Sequence, residues 1–225
     1  MKMDEKKKNL LIVGTGPQAQ IARDYFSEFT NYKVVGFACH REFKNIDEIY
    51  GLPLVTIENL PQGYPPDDIE VFVAIGYKKM NKIRQSVFME IKNLGFRFAN
   101  FIHPRATVCK TAEIGENVFI FEDNTIQPYV RIGKNTVLWS GNHVGHHSVV
   151  GDHCFISSHV VISGCCKIGN NVFIGVNATF HDSITIAEEC LIGAGSLITK
   201  DTKPKEVYLT PKTKLFPKDS EALGF

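Results

Sequence analysis

A period of six residues dominates the second half of this chain. From Ile102 to Ile198 every sixth residue is aliphatic or aromatic: Ile102, Val108, Ile114, Ile120, Ile126, Ile132, Leu138, Val144, Val150, Ile156, Ile162, Ile168, Ile174, Phe180, Ile186, Ile192 and Ile198. This period matches neither an α-helix nor an ordinary strand. It predicts a hexapeptide-repeat parallel β-helix over residues 102–201, in which each hexad forms one side of a three-sided coil. Residues 18 apart should therefore stack on neighbouring coils.

Two further positions of the hexad carry expectations, counting the apolar residue as position one. Glycine often occupies position two, as at Gly115, Gly133 and Gly145, and we expect a corner there at which positive φ favours glycine. Position five should also point inward, and its residues are mostly small. Asn124 and Asn142 depart from that rule and are one coil apart, so we expect an asparagine ladder inside the coil.

A glycine-rich loop marks the start of the chain. Leu10-Leu11-Ile12-Val13 is typical of a buried parallel strand, and Gly14-Thr15-Gly16-Pro17-Gln18-Ala19 lies between it and a predicted helix that ends near Phe29. Such a loop lets backbone N–H groups approach a phosphate. The second predicted strand ends in Ala38-Cys39-His40 instead of the acid that a nicotinamide cofactor requires, which argues against a dehydrogenase.

The remaining pattern of the first hundred residues completes an α/β domain. Further strands are predicted near residues 54–55, 71–75 and 97–101, with a helix over about 80–94. Residues 1–101 are thus predicted to form a small Rossmann-like nucleotide-binding domain, and residues 202–225 a C-terminal tail.

Composition excludes several classes of function. The formal net charge is +1, which gives no electrostatic reason to expect nucleic acid as a partner. The run from Lys2 to Lys8 includes two acids and is interpreted as a solvated tail. No stretch is apolar enough for a signal peptide or for membrane insertion, so we expect a cytoplasmic protein. The six cysteines have neither metal-site nor disulfide-framework spacing, and those at position five are interpreted as small buried side chains.

Histidines concentrate in the segment from Ser140 to Ser148. His143, His146 and His147 can form a metal cluster, supply a general base, or line a polar corner. The hexad count places His146 and His147 at positions three and four, with both side chains outward. His146 is the preferred general base. His153 and His159 also fall at position four and are expected at the surface. His103 and His181 are interpreted as structural.

These features together resemble a known family. The units Ile114-Gly115-Glu116-Asn117, Ile132-Gly133-Lys134-Asn135 and Ile168-Gly169-Asn170-Asn171, the Gly14–Gly16 loop and the histidine segment are similar to those of bacterial nucleotide-sugar acyltransferases with left-handed β-helices. Within these, the chain is most similar to the group of the bacillosamine-pathway N-acetyltransferase and the sialic-acid O-acetyltransferase. The resemblance covers residues 9–212.

The resemblance implies a homotrimer with active sites between neighbouring prisms, where the prism is the three-sided β-helix of residues 102–201. It assigns the general base to His146 and the oxyanion-binding N–H to Gly164, which the hexad count independently places one coil above His146. Acetyl-CoA is expected along the prism and the nucleotide-linked amino sugar at the N-terminal domain. The expected contacts to acetyl-CoA are Gly164, Val176, Ala194, Lys200 and Lys212. Those to the nucleotide sugar are Gly14, Thr15, Gly16, Gln18, His40, Gly76 and Tyr77. No metal is expected.

One departure from the family concerns the residue after the base. Members of this group carry a carboxylate there, which orients the imidazole, whereas this chain has His147. Asn142 or a backbone carbonyl is a candidate for that orienting role. A second departure is Leu209-Thr210-Pro211-Lys212 in place of the family's Gly-x-Pro-Ala-Lys turn, with Lys214 as a further candidate for phosphate contact.

The sequence therefore predicts an N-acetyltransferase of surface-polysaccharide or glycan synthesis. A sugar O-acetyltransferase with the same architecture is the nearest alternative. A β-helical metalloenzyme of the carbonic-anhydrase type and a purely structural or binding trimer are the alternatives from other classes. The identity of the sugar, the ring position and the choice among UDP, dTDP and GDP are left open.

Overall fold

The computed structural model describes residues 7–223, so residues 1–6 of the lysine-rich start lie outside the described range. The N-terminal part contains six strands: β1 (Lys8–Val13), β2 (Tyr32–Cys39), β3 (Glu48–Ile49), β4 (Leu52–Thr56), β5 (Glu70–Val73) and β6 (Arg97–Phe98). Three α-helices accompany them: α1 (Pro17–Phe29), α2 (Leu60–Gly63) and α3 (Lys82–Asn93). The strand order is β3-β4-β2-β1-β5-β6, and all neighbouring pairs are parallel except β3 with β4.

Helix α3 begins two residues later than the apolar spacing suggested. Lys79, Met80 and Asn81 have φ angles of 52°, 52° and 62°, so the chain turns with the left-handed conformation before the helix starts. The predicted strand over 97–101 is also divided, because Phe101 already belongs to the first strand of the prism.

The prism consists of two-residue strands at the predicted period. They are β7 (Phe101–Ile102), β8 (Thr107–Val108), β9 (Glu113–Ile114), β10 (Phe119–Ile120), β11 (Thr125–Ile126), β12 (Arg131–Ile132), β13 (Val137–Leu138), β14 (His143–Val144), β15 (Val149–Val150), β16 (Phe155–Ile156), β17 (Val161–Ile162), β18 (Lys167–Ile168), β19 (Phe173–Ile174), β20 (Thr179–Phe180), β21 (Thr185–Ile186), β22 (Leu191–Ile192), β23 (Leu197–Ile198) and β24 (Val207–Tyr208). Strand β24 pairs with β22, so the sheet continues beyond the predicted limit at Asp201.

Every third strand belongs to the same parallel sheet, which gives three sides. The covered sheet (β7, β10, β13, β16, β19, β22 and β24) presents mainly aromatic residues outward, and the N-terminal domain packs on it. The threonine sheet (β8, β11, β14, β17, β20 and β23) has Thr107, Thr125, His143, Val161, Thr179 and Leu197 at its outward positions. The charged sheet (β9, β12, β15, β18 and β21) has Glu113, Arg131, Val149, Lys167 and Thr185. Position-one residues form the core between the sheets, although Ile102 at the open end is 39% exposed.

The corners of the prism correct the expectation about glycine. Positive φ occurs at position four, as at Asn117, Asn135 and His147, and not at the position-two glycines. The position-two glycines are required for a different reason. A Cβ at Gly133 would lie 2.5 Å from the backbone of Gly151, and one at Gly145 would lie 2.5 Å from that of Ser163. Glycine is therefore selected by the close approach of the next coil.

The asparagine ladder also lies elsewhere than predicted. Asn124 and Asn142 are both buried inside the coil, but each donates its amide hydrogen to the carbonyl of Trp139 instead of to the other asparagine. A ladder of side chains does form at the corner between the charged and covered sheets. There Asn117 donates to Asn135, and Asn135 contacts Nδ1 of His153 at 2.9 Å.

The same corner corrects the placement of His153. Position four was expected to face the surface, but His153 is buried beneath α3, with its ring 5.7 Å from that of Phe88. His159, at position four of another corner, is exposed as expected. Burial lowers the pKa of His153, and the nearby Arg84 acts in the same direction.

Helices in the described part of the chain are too short or too polar to cross a membrane.

Candidate active site

The histidine corner lies where the threonine sheet turns into the charged sheet. Strand β14 ends at Val144, and His146 and His147 follow at positions three and four with exposed side chains. The backbone of His146 is fixed from both neighbouring coils, because its N–H donates to Oε1 of Gln127 at 2.8 Å and its carbonyl accepts from Cys165 at 2.8 Å. The corner thus presents an exposed imidazole on a rigid backbone.

His146 and His147 contact each other through their Nδ1 atoms, which are 3.1 Å apart. A hydrogen bond between two neutral imidazoles requires one Nδ1 to carry the proton and the other to accept it. If His146 is the donor, its Nε2 is left unprotonated and can accept a proton from a substrate. Tyr129, one coil below, packs on His147 with ring centroids 4.8 Å apart. This contact makes His147 a candidate for the orienting role.

Asn142 does not share in this arrangement. Its amide nitrogen donates to Trp139, and its side-chain oxygen accepts from the N–H of Val160 at 2.8 Å. Both contacts lie in the interior of the coil, where Asn142 is 2% exposed. The prediction that Asn142 orients His146 is therefore wrong, because its side chain is engaged inside the coil and not at the histidine corner.

Gly164 lies directly against the imidazole of His146. A Cβ at this position would be 2.8 Å from Nε2 and 2.9 Å from Cε1 of His146, so only glycine leaves the space free. The N–H of Gly164 donates to Oδ1 of Asp182, one coil further, at 3.2 Å. The donor assigned to an oxyanion is thus already engaged by a carboxylate in this structure.

The expected acetyl-CoA contacts divide between two corners of one prism. Lys200 lies in the same position-three column as His146 and Gly164, since the three are separated by multiples of 18 residues. Val176 and Ala194 occupy position three at the corner between the covered and threonine sheets. Both are exposed. Lys212 and Lys214 lie in the exposed C-terminal segment. A single protomer therefore does not bring these residues together.

The glycine-rich loop has the expected position in the N-terminal domain. Gly14 has a φ of 132°, and a Cβ there would lie 2.6 Å from the carbonyl oxygen of Ala74. Helix α1 follows, and its N-cap residue Gly16 supplies no side-chain capping bond. Thr15 and Gln18 belong to this same loop and first turn. The helix N-terminus is consequently open toward a negatively charged group.

His40 and Tyr77 follow β2 and β5 at the same edge of the sheet. Nε2 of His40 lies 2.8 Å from a carboxylate oxygen of Glu90, so this imidazole is paired within the domain. His40 also lines a depression of about 420 Å³ together with Arg41, Glu42 and Glu58. Gly76 has open space where a Cβ would be. Tyr77 is 52% exposed and packs on two aromatic residues of the covered sheet.

Three contacts at these sites were missed by the sequence interpretation. Tyr129 and Asp182 lie one coil below His147 and one coil above Gly164, so the count of 18 that related His146 to Gly164 also locates them. No comparable signal in the sequence singles out Glu90 as the partner of His40. Among residues 7–223, no group of three or more histidine, cysteine or acidic side chains is arranged to hold a metal ion.

Comparisons with known proteins cover both parts of the chain. Residues 9–91 match the family model of the PglD N-terminal domain, and residues 97–207 match that of the GMPPB C-terminal domain. The acetyltransferase domain of PglB from Neisseria gonorrhoeae FA1090 is 22% identical, with a TM-score of 0.79 over 89% of this chain and 95% of that one.

Two further solved structures contain ligands. PerB from Caulobacter crescentus, in complex with CoA and GDP-perosamine, is 24% identical with a TM-score of 0.78 over 88% of this chain and 92% of that one. The Neisseria domain in complex with acetyl coenzyme A is 22% identical with a TM-score of 0.61 over 89% of this chain and 95% of that one. These matches confirm the resemblance drawn from the sequence and establish a shared fold.

Proposed function

We propose that this relative of the hexapeptide-repeat nucleotide-sugar acyltransferases moves an acetyl group from acetyl-CoA to the amino group of a nucleotide-linked deoxyamino sugar. The observation that carries the proposal is the exposed His146–His147 pair, with Nε2 of His146 beside the space that a side chain at position 164 would fill. A domain matching the PglD N-terminal family supports a nucleotide-sugar substrate. PerB is solved with CoA and GDP-perosamine, and these two ligands are of the same kinds as the proposed substrates, acetyl-CoA and a nucleotide-linked amino sugar.

In the proposed reaction Nε2 of His146 removes a proton from the sugar amine as its nitrogen attacks the thioester carbonyl. The resulting imidazolium can then return the proton to the departing CoA sulfur. An imidazole suits both steps because it titrates near neutral pH. Nδ1 of His147 accepts a hydrogen bond from the Nδ1–H of His146. The proton stays on Nδ1 of His146, so its Nε2 remains available as the base.

The negative charge on the acyl oxygen needs a hydrogen-bond donor during this reaction. We assign the donor role to the N–H of Gly164, as the resemblance implies. Because Asp182 accepts from that N–H, its carboxylate has to release the donor when the thioester binds.

We further propose that the active protein is a homotrimer with a left-handed coil. The N-terminal domain covers one sheet and the charged sheet suits solvent, whereas the threonine sheet exposes Val161 and Leu197, the latter 67% exposed. Packing the threonine sheets of neighbouring prisms would bring the histidine corner of one subunit toward the Val176 and Ala194 corner of the next. Acetyl-CoA would then lie between subunits, with Lys200 and Lys212 near its phosphates.

The N-terminal domain supplies the second substrate site in this proposal. Its parallel strands follow the order that begins the Rossmann fold, with the Gly14–Gly16 loop at the carboxyl end of β1. The loops and first helical turn at that edge carry the proposed nucleotide-sugar contacts Thr15, Gln18, His40, Gly76 and Tyr77, since ligands of open parallel sheets bind at such an edge. The six free cysteines agree with a reducing compartment, and we place the reaction in the cytoplasm, in polysaccharide or glycan synthesis.

The test is incubation of the protein with acetyl-CoA and a panel of nucleotide-linked amino sugars, followed by mass spectrometry. A gain of one acetyl group on a sugar is expected, and it should depend on His146. A product that survives mild alkali is an amide, whereas one that is cleaved is an ester and would indicate O-acetylation. Absence of transfer to every sugar of the panel, together with no binding of acetyl-CoA by calorimetry, would overturn the proposal.

A further inference from the structure

A buried arginine joins the two domains at a point that the proposed reaction does not use. Arg84 lies on α3 and is fully buried. None of the ion pairs found among residues 7–223 includes it. Burial lowers the pKa of Arg84 to about 10, so the guanidinium remains protonated at neutral pH. A buried charge without a carboxylate partner requires other compensation.

Backbone carbonyls of the prism provide most of that compensation. Nη2 of Arg84 donates to the carbonyls of Cys154 at 2.9 Å and His153 at 3.1 Å, and Nε donates to that of Asn135 at 3.2 Å. Nη1 instead points back into the N-terminal domain, where it donates to Oδ1 of Asn81 at 3.0 Å. The planar guanidinium therefore bridges two coils of the prism and the turn before α3.

That turn has a backbone that L-amino acids disfavour. Lys79, Met80 and Asn81 are three consecutive non-glycine residues with positive φ, a conformation usually adopted only by single residues. Such strain persists only where surrounding contacts determine it. Asn81 is fully buried, and its amide also reaches toward the carbonyls of Asn171 and Val172 at 3.5 and 3.4 Å.

The strained turn directly follows the loop of Gly76 and Tyr77. Nη1 of Arg84 lies 3.4 Å from the carbonyl oxygen of Gly76, and the Tyr77 ring rests on Phe155 and Phe173 with centroids 4.8 Å apart in both cases. This loop leaves the sheet at the carboxyl end of β5, beside the Gly14 loop. Ligands of parallel sheets bind at that edge.

We propose that Arg84 is a positioning residue that fixes the Gly76–Tyr77 loop to the prism. Its guanidinium and Asn81 hold the left-handed turn against the prism backbone, and the turn sets the position of Tyr77. The nucleotide-sugar site is thereby placed at a fixed distance from the prism that carries His146. This inference rests on the proposed function for its kinetic consequence, but not for its structural one.

Arg84→Met tests the proposal, because methionine fills much of the same space without the donors. We expect the KM for the nucleotide sugar to rise about tenfold or more, since small displacements of a substrate are costly. The KM for acetyl-CoA should change less than about twofold, because Arg84 makes its hydrogen bonds at a different corner from those of His146 and of Val176. Amide hydrogen exchange of residues 76–81 should also become faster. Arg84→Lys keeps the charge but not the planar fork, and should rescue only part of these effects.

Tyr25→Phe is the matched control at the other end of the same domain interface. It removes the hydrogen bond from Tyr25 to Glu122, which is 3.1 Å long, without touching the loop. Both KM values and the exchange of residues 76–81 should stay unchanged in this variant. Arg84 does not position the loop if Arg84→Met changes neither the KM for the nucleotide sugar nor the hydrogen exchange of residues 76–81. The same conclusion follows if the variant raises both KM values equally.

Asn81→Gly keeps the test decisive if Arg84→Met does not fold. Glycine accepts the positive φ but loses the contacts to Arg84 and to the prism, so faster exchange of residues 76–81 is still expected. Unchanged exchange in that variant would overturn the proposal. If the wild-type protein transfers no acetyl group, the proposed function fails, while the exchange experiment still decides whether Arg84 fixes the loop.

Discussion

His147 and His153 occupy the same place in the repeat and have almost the same backbone, with φ angles of 58° and 61°. Their surroundings differ. His147 is exposed and contacts the imidazole of His146, whereas His153 is 7% exposed and accepts a hydrogen bond from Asn135 beneath α3. The repeat thus determines the conformation of a corner residue. Whether the N-terminal domain covers that corner determines which chemistry the residue can take part in.

The comparison predicts that the two corners respond to substitution in opposite ways. The exposed side chains of the histidine corner, His146 and His147, should affect turnover with little effect on folding. Residues at the covered corner should affect stability with little effect on the turnover of folded protein. Each of the following variants tests one side of that contrast.

The largest effect is expected for His146→Ala. Loss of a general base typically lowers the rate about 100-fold to 10,000-fold, and we expect kcat to fall within that range while the melting temperature stays near that of the wild type. Steady-state kinetics and thermal unfolding measure the two quantities. His153→Asn is the matched control, because it alters the covered corner and should leave kcat unchanged. Full activity of His146→Ala would show that another group is the base.

Gly164→Ala should produce the next largest loss. Its Cβ would lie 2.8 Å from Nε2 of His146, so the imidazole has to move, and a displacement of this kind can cost about 100-fold in rate. Gly145→Ala is the contrasting variant, because its Cβ would meet the backbone of Ser163 at 2.5 Å instead of a side chain. We expect Gly164→Ala to fold and be slow, and Gly145→Ala to lose stability. Equal melting temperatures for the two variants would contradict this distinction.

Much of the prism could be predicted because its rule is local and periodic. One apolar residue in every sixth position located the strands of the three sheets from β7 to β23, and the count of 18 placed Gly164 over His146. The count alone did not reveal that positive φ falls at position four, but the residue types there carry a signal. Asparagine, aspartate, histidine and glycine, which tolerate the left-handed conformation best, occupy most of these positions, as at Asn117, Asn135 and His147.

The contacts between the domains could not be predicted from the repeat. His153 was expected at the surface because nothing in its hexad distinguishes it from His159. Its burial depends on α3, which lies about 60 residues earlier in the chain. The role of Arg84 has the same origin, since its partners are backbone carbonyls, which carry no sequence signal. Long-range packing thus decided the features that the periodic pattern left undetermined.

A smaller effect is expected at His147, where two variants separate its backbone role from its acceptor role. Glycine accepts the positive φ but cannot accept the Nδ1 proton of His146, whereas asparagine tolerates that φ and retains an acceptor oxygen. We expect His147→Gly to lower kcat about 10-fold to 100-fold, as for other groups that orient a functional histidine. His147→Asn should keep most of the activity. Equal loss in both variants would mean that acceptance of the proton is not what His147 contributes.

The smallest effect concerns the pH dependence of stability at the covered corner. Burial lowers the pKa of His153 below its ordinary value of 6.5, so the unfolded chain binds the proton more readily than the folded one. The free energy of unfolding should therefore fall as the pH drops below about 6.5, in the direction set by proton linkage. Asparagine at position 153 accepts the positive φ and cannot bind that proton, so His153→Asn should unfold with a weaker pH dependence. Denaturant titrations at pH 7.5 and pH 5.5 measure the difference, with His159→Asn at an exposed corner as the control. The same pH dependence in His153→Asn and in wild type would place the acid sensitivity elsewhere in the molecule. It would also remove the physical distinction between the covered histidine and the exposed one.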